Sequence, residues 1–241
     1  MMKSTWHSLD TEADGVAAAT LQHAANTSYL LQEAITTLAD GFTEAELKNS
    51  APTRARMGLF SQNLNSLICS TNLAMRGYYT QSTALLRGVY ENWIAFHYLA
   101  QFPKKADLWL RADRRPPRHS QMLKALGPNF VENKTNARGW YGTLCRFAHT
   151  DAVIVLPHLG RYNGEPCAFF GAEYKPDLFR TCAYTISLFT SIMLREVSQM
   201  IPADAAWQQR YNTAIEGLLQ FIEKQNAEFQ KSRRKNRGRS F

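Results

Sequence analysis

The sequence predicts an all-α fold: a multi-helix bundle carrying one inserted β-hairpin. Three observations predict it. Apolar residues recur at three- and four-residue intervals through most of the chain, which is the period of a helix stripe. Large side chains are plentiful, at 45% hydrophobic and 12% aromatic, so 241 residues can close one large core. Strand-like runs bounded by turn residues are confined to one stretch, 152–171. The expected organisation is a single helical domain over residues 1–230, containing an irregular basic excursion at 103–136 and the hairpin at 152–171. A disordered basic tail is expected at 231–241.

The first helix is expected from Glu12 to Asp40, with Val16, Leu30, Leu31, Ala34, Ile35 and Leu38 on its apolar stripe and Gly41 as its stop. Thr43 and Glu46 have capping-box spacing and predict a short helix there. Residues 49–52 read as a loop. A second helix is expected from Thr53 to Gly77 and a third from Thr80 to Gln101. The third is apolar around nearly its whole circumference, which predicts a place at the centre of the domain. In the excursion, Pro103, Pro116, Pro117 and Pro128 break the pattern, leaving short helices at 104–113 and 119–126, the second ended by Gly127.

A helix at 136–149 follows. The hairpin is then read from a β-branched run at 152–156, an apolar run at 167–170 and an Asn163-Gly164 turn between them. Pro157 and Pro166 make both strands edge-like. Two long helices close the domain, one starting near Pro176 and ending before Pro202, the other spanning 203–231.

The formal charge of +8 is unevenly placed. Lys231, Arg233, Arg234, Lys235, Arg237 and Arg239 lie within a run that holds no acidic residue, and without it the chain is close to neutral. The tail, not the body, is therefore the expected nucleic-acid contact. No secretory leader and no apolar run of membrane-spanning length is read, so a cytoplasmic protein without a membrane partner is expected. Cys69, Cys145, Cys167 and Cys182 form no C-x-x-C pair, so no metal site and no cofactor is expected. The phosphate-loop, dinucleotide, zinc-protease and nucleophile-elbow motifs are absent.

Two polar groups interrupt the apolar pattern. Arg87 and Glu91 are one turn apart on the most apolar helix, where burying charge is costly unless it is paired. Either they form an ion pair that fixes helix register, or they face a ligand. Tyr98 lies further along the same stripe. The second group is Tyr141, Arg146 and His149, with His149 at a helix C-terminus, which favours imidazolium. It reads either as a proton-transfer or phosphate site, or as a His satisfying the last carbonyls of its helix. Asn65, Asn72 and Arg76 form a polar row that either meets Arg87 and Glu91 or faces solvent, while His97 and His158 read as ordinary.

The segment Ala84-Leu-Leu-Arg87-Gly-Val-Tyr-Glu91-Asn-Trp, followed by Tyr141 and by Arg146-Phe-Ala-His149, resembles a group of uncharacterised bacterial helical domains distantly related to the HEPN superfamily. The resemblance covers residues 53–151 and a helical C-terminal part. It implies a helical domain from a defence or mobile-element setting and a homodimer, to which Phe169 and Phe170 of the hairpin add aromatic surface. It also implies metal-independent RNA cleavage, with an Arg steadying the scissile phosphate and a His moving a proton. Those ribonucleases place Arg four to six residues before His; Arg146 is nearer to His149 than that and Arg138 farther, so His149 alone maps.

The expectation is accordingly a noncatalytic nucleic-acid- or protein-binding module, with RNA the foremost partner. The alternative is a ribonuclease or toxin whose catalytic candidates are Arg87, Glu91, Arg146 and His149. Tyr98, Tyr141 and the basic tail are the binding candidates.

Overall fold

The computed structural model describes residues 2–44, 50–111, 116–131, 140–148, 159–162, 165–168, 172–200 and 205–237. In chain order the elements are α1 (Met2–Glu44), α2 (Ala51–Met75), α3 (Tyr79–Gln101), a 3₁₀ turn (Pro103–Lys105), α4 (Ala106–Trp109) and α5 (His119–Leu126). They continue with α6 (Trp140–Ala148), β1 (Leu159–Tyr162), β2 (Glu165–Ala168), α7 (Pro176–Ser198) and α8 (Ala205–Arg237). No helix among them is long and apolar enough to cross a membrane.

Helix α3 is the axis of the bundle, as its apolar circumference predicts. Leu86, Val89, Trp93, Ile94 and Leu99 are buried, and α3 packs against α2, α5, α6 and α7. Its closest neighbour is α2, which reaches it through a tight connection at Gly77. There φ is +85°, and a Cβ would stand 2.7 Å from the carbonyl oxygen of Glu173. Small polar side chains let the two helices approach. Asn63 donates to the Val89 carbonyl at 3.1 Å, and the Ser70 hydroxyl donates to the Ser82 carbonyl at 2.9 Å. Ser50 caps α2 by accepting from the Thr53 amide, with Pro52 in the first turn.

Several boundaries depart from the sequence reading, each for a packing reason. Helix α1 runs through Gly41 to Glu44. A glycine inside a helix costs about 1 kcal/mol, but here it is the seat of Trp207 from α8. A Cβ on Gly41 would lie 2.6 Å from the indole, and the indole N–H donates to the Thr37 carbonyl at 3.0 Å. Thr43 lies inside α1, where its hydroxyl bonds back to the Ala39 carbonyl, and Glu46 lies outside the described residues. In the excursion, α5 has the predicted limits and Gly127 ends it at φ +105°. The expected helix at 104–113 shrinks to the 3₁₀ turn and four-residue α4, pinned by buried Ala106.

The class is all-α, and only part of the predicted β region at 152–171 falls among the described residues. Its described part is a four-pair antiparallel ladder, from Leu159 opposite Ala168 to Tyr162 opposite Glu165. The described strands are β1 at 159–162 and β2 at 165–168, and the predicted turn residues Asn163 and Gly164 lie outside the described residues. Residues 152–156, Phe169 and Phe170 lie outside the described residues. The basic end needs a correction too: α8 continues to Arg237, so Lys231, Arg233, Arg234, Lys235 and Arg237 belong to a helix and not to a disordered tail. Arg239 lies outside the described residues.

Candidate functional site

Arg87 and Glu91 lie on the side of α3 that faces α5 and α6. The i, i+4 spacing sets the two side chains one above the other, and Arg87 Nε donates to Glu91 Oε1 at 3.0 Å. Their side chains keep 24% and 35% of their accessible surface, so the pair is partly wet and its desolvation cost correspondingly small. From α6, the Tyr141 hydroxyl donates to the same carboxylate oxygen at 3.0 Å. His119, the first residue of α5, stacks on Tyr141 with ring centroids 4.1 Å apart and 21° between planes. Tyr90 extends the stack, 5.4 Å from each of these rings. The Arg87 guanidinium stands 5.8 Å from the centre of the Tyr141 ring.

Tyr90 is buried behind them, and Arg87, Glu91, Tyr141 and His119 line an open cleft of about 490 Å³, together with Asn92, Trp109 and Arg118. Burial, and then the hydrogen bond to Glu91, push the Tyr141 hydroxyl up to about 12, so it stays a proton donor at neutral pH. Burial works against the Arg87 charge, but the hydrogen bond and charge of Glu91 outweigh it and hold the guanidinium above its ordinary range. Burial lowers His119 below the usual histidine value; Glu91 partly offsets this and Arg87 adds to it. Its Nε2 is buried and has no hydrogen-bond partner among the described residues. The cleft thus holds a permanent cation, a carboxylate, a phenolic donor, an uncharged imidazole and stacked ring faces. Chemically it can hold a phosphate and stack a planar ring.

The structure brings Arg87, Glu91 and Tyr141 together. Arg146 is exposed on α6 and is not part of the cleft lining. His149 lies outside the described residues, as does His158. Tyr98 is buried in the core, packs on Phe102 at 5.0 Å and is not part of the cleft lining. Asn65 and Asn72 are exposed, and Arg76 pairs with Asp10 and Asp14 of α1 instead of reaching α3. Lys231 is exposed on α8. No group of three or more metal-ligating side chains gathers among the described residues. The residue that sequence reasoning missed is His119. Its one signal is position: it follows Pro116-Pro117-Arg118 and opens a helix.

A second polar cluster sits further along α3. His97 Nε2 meets Glu196 Oε1 of α7 at 2.8 Å, with side-chain exposures of 12% and 10%. Trp93 and Phe130 present their rings to His97 at 5.3 and 5.1 Å. Arg56 of α2 lies over the Phe96 ring at 4.1 Å; burial lowers its pKa, against the raising effect of Glu196. Comparison with protein-family models, with curated proteins and with solved structures found no match for this chain.

Proposed function

We propose that this chain is a noncatalytic helical module that binds single-stranded nucleic acid, RNA foremost, through the cleft between α3, α5 and α6. The observation that carries the reading is the fixed cation beside a stacked aromatic face: Arg87 held by Glu91, with Tyr141 and His119 parallel next to it. A guanidinium held in one place takes a phosphate oxygen without further ordering, and aromatic faces stack bases without regard to sequence. Arg118 on the rim and the basic end of α8 add long-range attraction.

A labelled single-stranded RNA titrated against the full chain in EDTA tests this reading. Arg87→Ala is expected to weaken binding about tenfold or more, equal to about 1.4 kcal/mol. Removal of residues 231–241 is expected to flatten the dependence on salt. Binding unchanged by both alterations removes the proposal.

A second reading, metal-independent RNA cleavage, is favoured by one observation: the half-buried His119 imidazole lines the same cleft as the Glu91 carboxylate and Arg87. The 2′-oxygen would attack the phosphorus of the phosphate that Arg87 holds and the P–O5′ bond would break, with His119 taking the 2′-hydroxyl proton and returning it to the departing 5′-oxygen. The same titration decides it when the products are run on a gel. Cleavage in EDTA that His119→Asn abolishes and His149→Ala spares supports this version, and intact RNA leaves the binding reading alone.

A further inference from the structure

Along the described lining of the cleft, His119 is the one side chain of a type that changes charge between about pH 5 and pH 8. The other ionisable groups there are Arg87, Arg118, the Glu91 carboxylate and the Tyr141 phenol, which is pushed up to about 12. The imidazole faces charged and titratable groups on every side. From α3 come Arg87, Glu91 and Tyr90, and from α6 comes Tyr141, stacked on it at 4.1 Å. On its own element, Arg118 precedes it, and His119 is the first residue of α5, where the peptide dipoles present partial positive charge.

Without a ligand this setting opposes an imidazolium. Burial is the largest cause, Glu91 acts against it and Arg87 adds to it. Glu91 is also committed elsewhere: its Oε1 accepts from Arg87 and from Tyr141, each at 3.0 Å. A phosphate entering beside Arg87 reverses the balance. It brings negative charge into a cleft of about 490 Å³, whose walls lie within about a Debye length, 8–10 Å, of anything inside it. An anion at that range favours the protonated form of a partly buried histidine.

We infer that the cleft takes up a proton on His119 when it binds a nucleic-acid phosphate, so that affinity for single-stranded RNA rises as the pH falls. This rests on the binding reading above and assigns its regulation. The imidazole holds its proton more tightly in the complex than in the free chain. Affinity is therefore flat above the bound-state pKa, climbs as pH falls between the two values, and levels off below the free-state one. One group takes one proton, so the climb is at most about tenfold per pH unit.

The test is a titration of the full chain with oligouridine, whose bases take up no proton in this range. The strand carries 2′-O-methyl groups, which separate binding from cleavage, and a pH-insensitive dye. Anisotropy is read from about pH 8 to about pH 5.5 at constant salt, with circular dichroism confirming the fold at each pH. Wild type is expected to bind about fivefold or more tighter at the acid end. Calorimetry near pH 6 in two buffers of different ionisation enthalpy is expected to show uptake of a fraction of one proton. His119→Phe, which keeps a ring against Tyr141, and His119→Asn are both expected to bind with a flat profile and no uptake. Should one variant fail to fold, the other carries the test. A flat wild-type profile, or a wild-type slope retained without His119, overturns the coupling; if Arg87→Ala still abolishes binding, the binding reading stands without it. Absence of RNA binding at every pH removes both.

Discussion

Helix α3 carries two carboxylate-paired side chains, and the protein treats them in opposite ways. Arg87 and Glu91 meet within one helix and open onto a cleft. His97 crosses to Glu196 on another helix and is closed in by Trp93 and Phe130. The spacing of charge along the helix does not separate the two. What separates them is which neighbour covers each face: aromatic rings seal the later pair, whereas the earlier one faces α5 and α6 across open space. A sealed pair serves the fold, and an open one remains available to a ligand.

The sharpest way to break this contrast is to remove the carboxylate on each side. Glu196→Ala is expected to cost about 2–3 kcal/mol, because it leaves the His97 ring without its hydrogen-bond partner in a nearly closed site. Glu91→Ala is expected to stay within about 1 kcal/mol, as partly exposed pairs do. Urea unfolding followed by circular dichroism measures both, and equal losses would erase the distinction. Tyr141→Phe is next in size: it removes only one of the two bonds to Glu91 and is expected to cost about 0.5 kcal/mol. An ultraviolet difference titration of wild type against that variant should show the missing phenol ionising near 12.

The smallest expected effect is on pH dependence. Because burial lowers His119, the folded state binds its proton less readily than the unfolded chain does. Its contribution to stability is fully present above the ordinary histidine pKa of about 6.5 and is lost as pH falls through the lower folded value. His119→Asn should therefore flatten the decline in urea midpoint between about pH 7 and pH 5. An unaltered decline in that variant would assign the acid sensitivity to other groups.

How much of this was legible in the sequence depended on whether a signal was local. The all-α class, the central place of α3, the limits of α5 and the pairing of Arg87 with Glu91 follow from periodicity, a C-terminal Gly and i, i+4 spacing, all of which act within a turn or two. Gly41 misled for the opposite reason: its use is set by Trp207, far away in sequence. Tyr98 shares a stripe with Glu91, but Phe102 and the core close over it. His119 was invisible because its meaning comes from stacking on Tyr141 and from the charges of α3, none of them neighbours in the chain. Basic composition suggested a disordered end, yet the helical run of α8 carries through to Arg237.

The notch at Gly41 has a consequence for how the polypeptide is made. The indole that fills it belongs to the final helix, so on a ribosome the amino-terminal helix emerges long before its mate exists. Until then the groove beside Thr37 and Gly41 stays unfilled, and the nascent chain presents greasy surface to chaperones. Only when α8 has been made does the indole arrive and lock α1 to it.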